Sequence, residues 1–575
     1  MKKIRLLILL FCCLTMQSYA ARTLEELGIR VTGLPAFPNR GYNGYVTYRM
    51  HFVNKTNVEK TITISMTTSY ASELEKVSRT FKLAAGESKT DGLFYPVLDF
   101  SSDGVQVEVD GVPLSEKLFP YARSYRNYYG KRQALVDNKV PRSDFERVFG
   151  GSSGYSGSTA ELEMNQFEGG DTQYDHNWLA YTQFNVLIFY SESLKRMTAE
   201  AREAIFNYVR AGGSMLVLGN YPLPDDFISA EFPNPNGIVH FQGFEAGFGR
   251  AFTVPADTLS TVATMPDVPF PDLVGGPFAR ISSRSDLPLP FEDRELETVT
   301  TRWLMIVIYA FAFIIGPVNV YVLHKMGKKI WVFWTVPVAS VICCLIIFGY
   351  YILFESSTLL VKKRALTFLD EANNRAVTLG NLSVFSSSSR PEGFHFSFDT
   401  DVWPLMVSSY SSNDRGKYIV LDEDQHFADG WIRPKIPRYF HLRSIHTRRE
   451  RLTLERENGR IRAMNGLGAY IERLYVMLDG DEILECRNIA AGEAGLLNRS
   501  GMSAFRNPVS MRKLYEKQWY DGFNDLHTHP AKYLKPGMYV AILKGTPFLD
   551  KQVFSSNSDV GESIVVGLLS SGGPK

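Results

Sequence analysis

The chain has 575 residues, 62 Lys+Arg against 61 Asp+Glu, and an apolar content of 45%. That length exceeds what one core supports, so roughly three to five folded units are expected at ~100–200 residues each. A formal charge of +1 supplies no field to concentrate nucleic acid or to steer a strongly charged substrate, which argues against nucleic acid as a partner.

At the N-terminus Lys2, Lys3 and Arg5 precede an apolar run from Leu6 to Leu14, and Ser18-Tyr19-Ala20 places small residues where a signal peptidase reads. Residues 1–20 are therefore expected to be a cleaved signal peptide. A lipoprotein signal at Cys12 or Cys13 is the alternative, but Phe11 and Cys12 are poor fits to the small residue expected before a lipidated cysteine. With those two cysteines removed and Cys343 and Cys344 in an apolar run, Cys486 alone remains for an exported domain. No intradomain disulfide is expected, and Cys486 reads as a small buried apolar residue.

Residues 21–118 carry short β-rich runs at Tyr45–Val53, Thr61–Ser65, Val77–Leu83 and Val105–Val109, the last followed by an Asp110-Gly111 turn signal. A small β-sandwich is expected. Ala85-Gly86-Glu87 resembles the turn of immunoglobulin-like modules, which implies binding or spacing rather than catalysis.

In residues 119–260 the pattern changes. Ala134-Leu135-Val136 and Val186–Tyr190 read as buried strands, and Thr198 to Ala211 reads as a helix with Thr198 as N-cap. Gly212-Gly213 ends that helix before a strand from Met215 to Leu218, and strand, helix, strand implies a parallel α/β sheet. Phe184-Asn185-Val186-Leu187-Ile188-Phe189-Tyr190, followed by Tyr208-Val209-Arg210-Ala211-Gly212-Gly213-Ser214-Met215-Leu216-Val217, resembles class I glutamine amidotransferase-like domains of exported bacterial membrane proteins. The resemblance spans about Phe119 to Val254 and implies a flavodoxin-like fold. Active members use a Cys on a strand-to-helix turn, and this stretch has no cysteine. Ser191 holds the corresponding place without the small flanking residues a sharp turn requires, so the implied domain is degenerate. His176, Asp175 and Glu192 are the residues that would line a ligand site at the C-terminal edge of the sheet. The glycine- and serine-rich Gly150–Ser158 lacks the Lys-Ser/Thr ending of a phosphate-binding loop and reads as a plain loop.

After a linker at 261–302, residues 303–323 are apolar apart from Asn319, and residues 330–354 contain no charged side chain. Each is long enough to span a hydrocarbon core that needs ~20 residues. The 324–329 loop carries Lys325, Lys328 and Lys329, whereas Glu292, Asp293, Glu295 and Glu297 precede the first span. By the positive-inside rule the loop is cytoplasmic and both large regions lie outside, although Lys362-Lys363-Arg364 pulls the other way. Pro317, Asn319 and Pro337 read as helix-packing features rather than a transport path. Gly316-Pro317-Val318-Asn319-Val320-Tyr321-Val322-Leu323-His324-Lys325 with Thr335-Val336-Pro337 resembles the membrane linker of the same group of proteins.

Residues 355–575 read as a β-rich exported region of one or two β-sandwich units. Its signals are Ala376–Leu379 and Leu382–Phe385 around Gly380-Asn381, a hairpin of Leu474–Leu478 and Ile483–Cys486 around Asp479-Gly480, and a late strand entered through Lys535-Pro536-Gly537. A helical insertion is expected near Val509–Trp519. Asp525, His527 and His529 have the alternation of a metal site but no fourth ligand, and read as a polar turn. Asp422-Glu423-Asp424 with Asp429-Gly430 lacks a calcium loop's spacing and reads as an acidic turn.

The fold class expected is thus multidomain α+β: an N-terminal β-sandwich, an α/β amidotransferase-like (flavodoxin-like) domain, a two-helix transmembrane hairpin and a C-terminal β-sandwich region. The function expected is that of a non-enzymatic scaffold or complex subunit in the cytoplasmic membrane of a bacterial envelope, with no cofactor, no metal, no catalytic residues and other envelope proteins as partners. The alternatives are an accessory subunit of a transport system, and a ligand-binding protein or hydrolase using the α/β domain.

Overall fold

A computed structural model describes residues 22–35, 37, 44–68, 74–98, 100–120, 122–124, 132–149, 162–167, 169–232, 240–263, 300–350, 359–405, 416–434, 436–457, 459–478, 482–500, 534–549 and 559–569. The signal-peptide segment 1–20, the loop 150–158, the Asp479-Gly480 turn, the insertion near 509–519 and Asp525, His527 and His529 lie outside these residues. Among these residues strand outweighs helix, 49% against 20%, so sheets carry the core.

Alternation of apolar and polar residues builds the first sheet. Its strands Thr23–Glu26, Ile29–Gly33, Tyr45–Asn54 and Ser88–Pro96 are antiparallel neighbours in that order. Val31, Met50 and Phe52 are fully buried, and the Phe52 ring meets Phe81 edge-on at 5.2 Å, which seats this sheet against the next one. The Asp110-Gly111 turn has φ of 52° and 79°, the left-handed pair that a two-residue hairpin demands.

The facing sheet draws on two segments far apart in the chain, within 60–113 and 394–427. Its order is Phe394–Phe396, Gln425–Phe427, Lys417–Val420, Leu74–Leu83, Lys60–Thr67, Gln106–Val109 and Val112–Pro113. The union is a parallel pairing of Lys417, Tyr418, Ile419 and Val420 with Leu74, Lys76, Val77 and Ser78. Asp422 extends it by accepting the Thr80 backbone N–H at 2.7 Å.

A third sheet has the order Leu162–Gln166, Arg132–Val136, Val186–Tyr190, Ser214–Leu218, Gly249–Val254, Gln242–Ala246 and Ile228–Ala230. The first five strands are parallel and the last two antiparallel. Leu135, Leu187 and Met215 on one face and Val136, Ile188 and Leu216 on the other are all fully buried, as strands covered on both faces must be. Numbered along the chain, the parallel part runs 2-1-3-4-5, with its switch point between Arg132–Val136 and Val186–Tyr190. Helix Ala199–Arg210 starts where Thr198 accepts the Ala201 N–H at 3.2 Å and stops at Gly212, whose φ is 108°.

A nine-stranded sheet completes the body: Thr400–Leu405, Arg438–Thr447, Arg375–Ser386, Leu359–Asp370, Asp559–Leu568, Met538–Lys544, Tyr470–Met477, Ile483–Ile489 and Asn498–Ser500. Gly380 and Asn381 fall inside one continuous strand rather than between two. A Cβ at Gly380 would come within 2.5 Å of Leu549, so the glycine serves a close approach, not a turn. A three-stranded sheet, Arg451–Glu457, Arg460–Gly466 and Ala494–Leu496, buries Leu452, Leu454 and Ala463 in a separate cluster with Leu474 and Tyr539.

The described helices at 300–350 differ in character from the rest. Thr300–Phe313 continues through a π turn at Ile314–Val318, which contains Pro317, into Asn319–Lys325, and Val332–Tyr350 follows. Large apolar side chains stand exposed along them, among them Phe313 at 63%, Phe333 at 81%, Trp334 at 74% and Phe348 at 62%. Ile308–Lys325, 18 residues, is the one described stretch long and apolar enough to cross a membrane, and Val332–Ile346 is a shorter apolar stretch.

Candidate functional site

Doubly wound sheets bind ligands where the strand order reverses, so the C-terminal edge beside Arg132–Val136 and Val186–Tyr190 is where a site should form. Asp137 follows the first of these strands, 3% exposed, and its carboxylate accepts the Lys139 N–H at 3.0 Å and the Tyr190 N–H at 3.1 Å. Those bonds tie the two loops together. Lys139 then donates its ammonium to Ser193 Oγ at 2.9 Å. A serine beside a lysine is a nucleophile-and-base arrangement in chemical type, but Ser193 is 0% exposed, so no substrate reaches it in this state.

Ser191 opens the short helix Ser191–Arg196, and Tyr190 before it has ordinary extended torsions of −71° and 142°. Ser191 itself is not among the described residues with positive φ, so the chain turns without the strained backbone of a nucleophile elbow. Gly219 makes room for this serine, since a Cβ there would sit 2.7 Å from Ser191 Oγ. The Tyr190 phenol is pushed up by burial and by the Asp137 and Asp144 carboxylates, which keeps it neutral.

The three residues expected to line a pocket do not converge on one. Asp175 holds Arg49 at 3.2 Å and accepts the Asn177 N–H at 2.9 Å. His176 is exposed, with Nε2 3.2 Å from Thr198 Oγ1 at the helix cap. Glu192 is exposed in the first turn of its helix. The acidic turn is likewise occupied: besides Asp422 on Thr80, Asp424 receives His395 Nδ1 at 3.0 Å and Asp429 accepts the Gly430 N–H at 2.8 Å. His395 stacks on His426 with ring centroids 4.0 Å apart, and His426 Nε2 donates to the Glu392 carbonyl at 2.8 Å. Among the described residues no three His, Cys, Asp or Glu side chains are placed to hold a metal ion. Cys486 is buried and its thiol is pushed up by that burial.

A further group of buried polar contacts lies where the regions meet. The Tyr45 hydroxyl, fully buried, donates to Gln425 Oε1 at 2.9 Å and accepts the Val402 N–H at 2.9 Å. Asp401 pairs with Arg443 through Nε at 2.6 Å, and burial still pushes its carboxyl up against the pull of that guanidinium. Arg443 lies over the Trp178 ring, whose N–H donates to the Asp399 carbonyl at 3.2 Å. His441, bonded to Asn381, is pushed down to about 3 by burial and by Arg443, so it is neutral in the folded state near neutral pH. On the far side of helix Ala199–Arg210, the buried Arg210 makes two hydrogen bonds to Asp226, at 2.6 and 2.9 Å, and Arg375 of the nine-stranded sheet joins both Asp226 and Glu203. Lys139, Ser193, the two stacked histidines and this junction were not singled out by sequence reasoning. His395 and His426 had a faint local signal, each polar beside a buried phenylalanine on a strand.

No family model matches this chain, and no curated protein matches it. Among solved structures it is similar to a yeast delta-COP-I mu-homology domain complexed with a Dsl1 WxWxV peptide, at 7% identity and a TM-score of 0.18, over 37% of this chain and 96% of that one. A score that low carries no argument about fold or function.

Proposed function

We propose that the chain is a membrane-anchored protein of the bacterial envelope that holds its β-rich body on the extracytoplasmic side as a non-enzymatic scaffold or complex subunit. The observation that carries this reading is the contrast between a body that buries its apolar residues and helices at 300–350 that expose them, as a lipid-solvated segment does. In this reading residues 1–20 are the signal peptide, the two helices form a transmembrane hairpin with the lysine loop in the cytoplasm, and β-sandwich units flank a degenerate amidotransferase-like domain. The 2-1-3-4-5 strand order supports a flavodoxin-like unit. Engagement of Asp137, Asp175 and Ser193 in internal bonds supports a structural rather than catalytic use of it.

The test is crosslinking in cells, followed by affinity purification in mild detergent and mass spectrometry. A stoichiometric envelope partner is the expected result, and a permease or transport ATPase as that partner makes the chain an accessory transport subunit instead. A solitary protein speaks against the scaffold. The Lys139–Ser193 contact favours one second reading, a hydrolase opened by a partner. Loss of a measured turnover in both Ser193→Ala and Lys139→Met would establish it, and unchanged turnover in either would end it.

A further inference from the structure

We infer that the β body is a topological lock on the helices: it permits an even number of membrane crossings between residues 263 and 359 and forbids an odd one. The inference rests on the membrane reading above and concerns how the anchor inserts.

Segments on both sides of the helices are bonded to one another. Strand Leu74–Leu83 is the parallel neighbour of Lys417–Val420. Tyr45 bonds Val402 and Gln425, Arg79 lies 4.9 Å over the Phe398 ring, and Arg375 reaches Asp226 at 3.0 Å. Groups at hydrogen-bond distance cannot lie on opposite sides of a hydrocarbon layer about 30 Å thick. The chain that leaves this body at 263 must therefore return to it on the same side by 359.

This constraint settles what helix length alone leaves marginal. Ile308–Lys325 has the length and composition to cross. If it does, a second crossing is compulsory, and Val332–Tyr350 is the apolar helix that follows it. Its 19 residues span about 28 Å, close to the required thickness. Asn319 Nδ2 donates to Thr335 Oγ1 at 3.0 Å, so a polar group of the first helix is satisfied by the second, as a pair inserted together requires. A single-span form, or a mixture of one-span and two-span forms, is incompatible with the assembled body.

The experiment places one reporter cysteine at a time, Glu59→Cys or Glu457→Cys, both exposed, in the full chain with Cys343, Cys344 and Cys486 replaced by alanine. Intact cells or sealed vesicles are labelled with a membrane-impermeant maleimide before and after permeabilisation. The lock predicts that the two reporters label to the same extent, within about twofold, in either condition. One labelled and the other protected, in a protease-resistant chain, overturns it. A second variant, Leu345→Arg with Ile346→Arg, opposes the return crossing. The lock then predicts either retention of both reporters on one side or loss of the protease-resistant body to less than about a tenth, whereas a resistant body with reporters on opposite sides overturns it. Complete release of the unmodified chain by alkaline carbonate would instead defeat the membrane reading and leave the shared sheet untouched.

Discussion

Replacing Asp226 with Asn should destabilise the body more than any single exposed ion pair does. Arg210 is 2% exposed, and Asp226 is its two-bonded partner, with Arg375 as a third member. Removing one charge from a buried pair costs about 3–5 kcal/mol because the other is left in a poor environment. Glu203 and Asn207 still reach Arg210, each at 2.8 Å, which places the expectation near the lower end, about 3 kcal/mol. At roughly 2–4 °C per kcal/mol for domains of 150–250 residues, the detergent-solubilised protein should melt about 6–12 °C lower. The pH dependence adds a signature. Burial alone would push the Asp226 carboxyl up, but Arg210 and then Arg375 outweigh it and hold the group below the ordinary carboxylate value. A depressed carboxyl stabilises above its unfolded value, near pH 4, and loses that contribution as pH falls through the folded value. The difference between native and Asp226→Asn melting temperatures should therefore be constant from pH 8 to 5 and shrink below pH 4. Calorimetry across that range decides. A melting point within about 1 °C of native at pH 7 would refute the argument.

Tyr45→Phe strands the Val402 N–H and Gln425 Oε1, and should cost about 2–3 kcal/mol, read as a lower denaturant midpoint with unchanged slope. His441, held neutral with its value near 3, contributes stability above its unfolded value near 6.5 that is lost as pH falls. Going from pH 7.5 to 5 should cost about 2 kcal/mol through this group, and His441→Asn should flatten that slope in urea titrations at the two pH values. Gly249→Ala should destabilise by about 3 kcal/mol, because a Cβ there would lie 1.8 Å from the Val209 carbonyl oxygen, and circular-dichroism melts would show it.

Local patterns were legible where one element carries its own signal. Thr198, the apolar face of Ala199–Arg210 and Gly212 announce a capped and terminated helix, and the alternation of Tyr45–Asn54 announces a half-buried strand. What composition and period do not carry is pairing across distance. Nothing in Lys417-Tyr418-Ile419-Val420 shows that its neighbour is Leu74–Leu83, because any buried apolar strand meets the same local demands. Gly380-Asn381 looked like punctuation because close approach to Leu549 and a tight turn ask for the same residue. At the site, Lys139 and Ser193 are 54 positions apart and meet only through the order of the parallel strands.

The claim tested most directly by one measurement is that segments from before and after the helices share one sheet. With Cys343, Cys344 and Cys486 replaced by alanine, the pair Ser78→Cys and Val420→Cys occupies adjacent positions on neighbouring parallel strands, where Cα atoms lie about 5 Å apart. Mild oxidation of the folded full-length protein should close this loop in most molecules, seen as a reducible mobility shift. Oxidation no greater than that of a control pair at Lys82 and Val420, outside that register, would contradict the shared sheet and with it the account of the body as one unit.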